Sequence, residues 1–152
     1  MVKEFVNYKQ ALELSSLGFT EPCFTTYDND GNLRNPFDFN TSEYDGRTPY
    51  MIHSKSFVKT SDINPISREK GWVAAPLKSQ VFKWFRNNKL IESYVYRYLG
   101  IFDGAIEYGY DILHNVGTEE TRIFKEEFTF YNDAESACID HIIQLIKGDN
   151  NE

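Results

Sequence analysis

Lys78, Phe82, Lys83, Arg86 and Lys89 crowd into one stretch, LKSQVFKWFRNNK (77–89), and Arg97 follows shortly after. Ammonium and guanidinium donors hold phosphate oxygens, and an aromatic face stacks on a base. Cations set around a ring therefore suit the capture of an anionic nucleotide, a task that needs tight binding and no bond-making. The surrounding chain is acidic. Residues 68–97 carry seven cations against two anions, a balance of +5, whereas 1–67 balance at −3 and 98–152 at −9, giving the total of −7. A net charge of that sign argues against general affinity for nucleic acid or for an anionic membrane.

The spacing within 77–89 is helical. On a wheel of about 100° per residue, Leu77, Val81, Trp84 and Phe85 fill an arc from roughly 240° to 340°, and Lys78, Lys89, Arg86 and Lys83 fill roughly 0° to 140°. The first arc is the core face, so Trp84 reads as a packing residue. Phe82, at roughly 40°, lies among the cations. One account has Phe82 widen the apolar stripe while the lysines solvate the back of a core helix. The other makes Lys78, Phe82, Lys83, Arg86, Lys89 and Arg97 a ligand site with the 35–71 segment as its lid.

Catalytic signatures are sparse. His53, His114 and His141 are scattered. Cys138 and His141 stand three apart on the last helix, yet the common use of such a cysteine is burial. Two such residues make a poor metal site without further ligands. The chain has no G-x-S-x-G, phosphate-loop, H-E-x-x-H or paired C-x-x-C pattern. The acid pairs Glu119-Glu120 and Glu126-Glu127 read as solvated. The expectation is a non-enzymatic binding protein that uses no cofactor and no metal.

At 152 residues, 41% apolar and 16% aromatic, the chain has enough material for one globular domain spanning 1–152. Two distant cysteines suggest a reduced, cytoplasmic setting, and no apolar window is long enough to span a membrane. Asn7 with Gln10 forms a capping-box pattern ahead of a helix with Tyr8, Ala11, Leu12 and Leu14 as its stripe, and Gly18 suits its end. Cys23 to Tyr27 suit a strand, with a turn at 28–31. Residues 35–71 are loop-rich, with short strands expected near Tyr50–His53 and Trp72–Ala74. Pro76 suits the first position of the second helix.

Three strand-like runs follow, at 91–99, 105–113 and 122–131. Tyr94, Tyr96 and Tyr98 alternate with Ser93, Val95 and Arg97; Ile106, Tyr108, Tyr110 and Ile112 alternate with Glu107, Gly109 and Asp111. Phe124, Phe128 and Phe130 share a third face. A last helix opens at Asn132 and Glu135, carries Ile139, Ile142, Ile143 and Ile146, and stops at Gly148, leaving 148–152 as a frayed tail. The fold class is α+β: a three-stranded antiparallel meander in helix–strand–strand–strand–helix order, with helices covering its aromatic face. This order matches that of double-stranded-RNA-binding domains, but those need positive charge where this chain reads YNDAESA.

YKQALELSSLGFTEPCF (8–24), APLKSQVFKWFR (75–86) and AESACIDHIIQLIK (134–147) together resemble a family of small uncharacterised proteins encoded by tailed phages and prophages of the Bacteroides group. The resemblance implies a small non-virion protein in the cytoplasm of an infected bacterium, a context in which anti-defence proteins are common. The leading expectation is a phage-type sponge for a nucleotide immune signal, with a homodimer as the default assembly and its site at the two-fold interface. The alternative is a protein-interaction module or acidic decoy, centred on 103–127, that binds a basic host protein.

Overall fold

The computed structural model describes residues 2–23, 25–34, 72–100, 104–116 and 119–149. The expected strand at 50–53, the 35–71 lid and the tail at 150–152 lie outside them. Where composition suggests one domain, the chain divides into two compact units, residues 7–76 and residues 1–6 with 77–152. Both are α+β.

In the first unit, helix α1 (Tyr8–Ser16) opens with the expected capping box. The Asn7 side chain accepts from the Gln10 backbone N–H, and the Gln10 side chain accepts from the Asn7 N–H. Gly18 takes a left-handed φ of 87° after Leu17, and Phe19 donates back to the Leu14 carbonyl and is buried. Only part of the expected stripe is buried: Ala11 and Leu14 are, whereas Leu12 is 44% exposed. Strand β1 (Thr25–Tyr27) pairs antiparallel with both β2 (Leu33–Arg34) and β3 (Val73–Ala75).

The β1–β2 turn is organised by Asp28. Its carboxylate accepts from the backbone N–H groups of Asp30 and Asn32 and from the Arg34 guanidinium, at 2.7 Å from Nε. Desolvation pushes the Asp28 carboxyl up, but the hydrogen bonds from Asn32 and Arg34 together with the Arg34 charge prevail and hold it below the ordinary carboxylate value.

The second unit has the expected order. Helix α2 (Lys78–Lys89) is followed by β4 (Ile91–Leu99), β5 (Ile106–Val116), β6 (Glu119–Phe128) and helix α3 (Tyr131–Asp149). Pro76 precedes α2 rather than opening it, because Leu77 holds the extended N-cap position. Residues 78, 81 and 85 lie one and two turns apart, so buried Lys78 shares a face with Val81 and Phe85. The left-handed Leu90 (φ 55°) turns the chain directly into β4.

The meander runs β4-β5-β6, with α3 packed on one face and α2 against β4 and α3. Tyr110 and Ile112 of β5 and Ile139, Ile142 and Ile143 of α3 are buried on that side. Helix α3 begins two residues earlier than a cap at Asn132 would place it, so Asn132 lies within its first turn, and it continues through Gly148 to Asp149. Among the described residues, no helix is long and apolar enough to cross a membrane.

Two expectations about sheet faces are overturned. Tyr94, Tyr96 and Tyr98 stand opposite Asp111, Gly109 and Glu107, whereas Ser93, Val95 and Arg97 stand opposite Ile112, Tyr110 and Tyr108. Directly paired residues share a face, so the helices cover the latter set and the β4 tyrosines point the other way. A bulge separates Phe124 from Phe128: Glu126 and Glu127 together oppose Gly109, and Glu127 adopts φ 80°. The extra residue reverses the alternation. Phe124 therefore lies on the outer face, Phe128 packs beside Tyr110 on the helix face, and Phe130 is beyond the strand.

Candidate functional site

The basic helix does not gather its expected cations into one site. Lys78 is 4% exposed. Its ammonium donates to the Asn132 carbonyl at 2.9 Å and lies 3.6 Å from the Glu135 carboxylate. That lysine ties the start of α2 to the first turn of α3 and has no ammonium to offer a solvent-borne phosphate. Lys89 sits 5.4 Å from the centroid of the buried Trp84 ring, a cation–π contact within its own helix. Phe82 is half-buried, and Arg97 is exposed on the helix side of the sheet, opposite Tyr108. Lys83 and Arg86 are exposed, with no ion pair among the described residues.

The outer face of the meander is a second surface, and composition alone did not single it out. Three tyrosines run along β4, each hydroxyl facing a carboxylate. Tyr94 donates to Glu92 at 2.5 Å and Tyr96 to Glu126 at 3.1 Å. Tyr98 engages Glu107 and accepts the Glu127 backbone N–H at 2.8 Å. Gly109 makes room for this arrangement: a Cβ there would meet the Tyr96 hydroxyl oxygen at 3.0 Å and the Lys125 carbonyl at 2.9 Å. Tyr96 thus lies across the one position in β5 that has no side chain.

Arg122 pairs with Asp111 at 2.5 Å on the same face, and Phe124 is 67% exposed. Desolvation, then the hydrogen bond and charge of Glu126, push the Tyr96 phenol up to about 12. The hydrogen bond to Glu92 leads the same upward shift at Tyr94, with the Arg86 charge opposing it. Carboxylates thus outnumber cations around a partly wet aromatic row. The phenols stay protonated and go on donating to these carboxylates, and their ring faces attract cations.

The remaining candidates are structural. Cys138 is fully buried, and desolvation pushes its thiol up to about 12, the wrong direction for a nucleophile. His141 is taken up by Tyr110, whose hydroxyl lies 3.1 Å from Nδ1. No group of three or more His, Cys, Asp or Glu side chains suited to a metal ion occurs among the described residues.

Fold and surface together define an α+β protein whose second unit bears tyrosines on the sheet face turned away from α3. Comparison with protein-family models, curated proteins and solved structures finds no match to the chain.

Proposed function

We propose that this chain is a non-enzymatic binding module that docks a positively charged protein segment on the outer face of β4–β6. The carrying observation is the tyrosine row, each hydroxyl held by a carboxylate, on a sheet face left uncovered by α2 and α3. Arginine or lysine heads could sit over the rings and exchange hydrogen bonds with Glu92, Glu107 and Glu126. The test is fluorescence anisotropy with labelled arginine-rich, lysine-rich and uncharged peptides. Basic peptides are expected to bind, more weakly as salt rises. Tyr94→Ala combined with Glu107→Gln should cost about tenfold in affinity, or about 1.4 kcal/mol. No binding at low salt, or binding that this double variant leaves unchanged, sinks the reading.

Lys83 and Arg86 favour a second reading, because both are exposed beside half-buried Phe82 with no ion pair among the described residues. In it, the basic helix holds an anionic nucleotide, with sequestration of an immune signal in an infected bacterium as its use. A nucleotide at about a hundred times its Kd would add about 2.7 kcal/mol to stability. Replacing Lys83 and Arg86 with Glu should abolish that gain. A flat melting temperature across mono-, di- and cyclic nucleotides retires it.

A further inference from the structure

Strand β6 is an edge. It pairs with β5 on one side and, among the described residues, with no strand on the other. An exposed edge invites pairing with another chain unless charge, proline or a bulge prevents it. Phe124 in its middle is 67% exposed, and Arg122 and Glu126 flank it at equal distance on the same outer face. That symmetry matters. If a second β6 is laid antiparallel across a two-fold axis through Phe124, each residue meets the one whose number completes 248. Phe124 then faces its own copy, and each Arg122 faces the Glu126 of the other chain. On the reverse face, Ile123 meets the aliphatic stem of Lys125.

We infer that two copies of this chain pair along β6 in this register, joining their meanders into one six-stranded antiparallel sheet with a continuous outer face. The charges along β6 are usually read as protection against such pairing. In this register they become cross-strand ion pairs, which stabilise a sheet where like charges would oppose it. Arg122 has donors to spare, so its bond to Asp111 need not break when it reaches a second carboxylate. The Glu126–Glu127 bulge falls at the end of the paired segment, so the ladder stops at Glu126, which suits a closed dimer rather than a growing fibre.

Sedimentation velocity on the full chain tests it. The expected mass is that of a dimer at micromolar concentration. Arg122→Glu leaves two acids facing two acids, and Glu126→Arg leaves two cations facing two cations, so each variant should weaken association by about tenfold or more. An equimolar mixture of the two variants should restore the dimer, because their charges complement each other.

A geometric readout accompanies it. Paired Cα atoms across the axis would lie about 4.5–5.5 Å apart, within disulfide reach. Phe124→Cys should therefore cross-link to itself under mild oxidation. Arg122→Cys should not, because its own copy would lie roughly 13 Å away. A monomer throughout, a dimer indifferent to both charge reversals, or cross-linking at 122 in preference to 124 overturns the proposal.

Discussion

Replacing Lys78 with Met keeps most of the buried stem and removes only the ammonium. Lys78 is 4% exposed, and its ammonium donates to the Asn132 carbonyl at 2.9 Å and faces the Glu135 carboxylate at 3.6 Å. Breaking a fully buried ion pair from one side costs about 3–5 kcal/mol, and a hydrogen bond to a charged group contributes about 1.5–3 kcal/mol. The Glu135 side chain keeps 16% of its surface in water, so it can rehydrate in part, and the lower range applies. The expected loss is about 2–3 kcal/mol. At about 2–4 °C per kcal/mol for a chain of this size, the melting temperature should fall by roughly 5–10 °C.

Urea denaturation and calorimetry without any ligand measure this directly. Lys78→Met combined with Glu135→Leu should cost less than the sum of the two single changes, because neither charge is then stranded. Lys83→Glu with Arg86→Glu, on the exposed face, should shift stability by no more than about 0.5 kcal/mol. A Lys78→Met variant within that same margin would falsify the assignment of Lys78 as a strut and return it to the list of free phosphate donors.

Gly109→Ala should displace Tyr96 and cost about 1–3 kcal/mol in urea unfolding, since its Cβ would meet the ring and the Lys125 carbonyl; a neutral result would mean that Tyr96 yields freely. Asp28 titrates below the ordinary carboxylate value in the folded chain, so its contribution is present above that value and lost as pH falls through the lowered one. Wild type should therefore lose urea resistance in acid more steeply than Asp28→Asn, and parallel pH profiles would refute this. Cys23 and Cys138 are buried, with thiols pushed up to about 12, mainly by desolvation. A thiol reagent should find both only after unfolding, and rapid labelling of native protein would show that one is reactive.

Much of the local structure was legible because its causes are local. The Asn7–Gln10 box, the Gly18 stop, the isoleucine stripe of α3 and the limits of β4 follow from capping chemistry and periodicity. Asn132 and Glu135 mimic a capping box, which puts the N-terminus of α3 two residues late. Glu135 in fact faces Lys78, a residue 57 positions away by its number, and no window-based pattern contains that pairing.

The candidate site was less legible. Alternation within β4 separates Tyr94, Tyr96 and Tyr98 from Ser93, Val95 and Arg97, but it does not say which set faces the helices. Register decides: the turn closed between Gly100 and Ala105 puts residues opposite when their numbers sum to 205. The tyrosines thereby meet Glu107, Gly109 and Asp111, the polar side of β5. That arithmetic, applied to hairpin length, is the signal that could have found the outer face.

The sequence by itself determined the α+β class, the helix–strand–strand–strand–helix run of the second unit and the acid-rich balance of the C-terminal third, because capping, alternation and charge are properties of neighbouring residues. The small sheet of β1, β2 and β3 joins strands from distant parts of the chain and was not legible as a sheet. Tertiary structure decided what these elements present to solvent. It buried Lys78, turned the β4 tyrosines outward and moved Phe128 to the opposite face from Phe124. Each outcome depends on a pairing, a bulge or an ion partner supplied from a distant part of the chain, where side-chain periodicity carries no information.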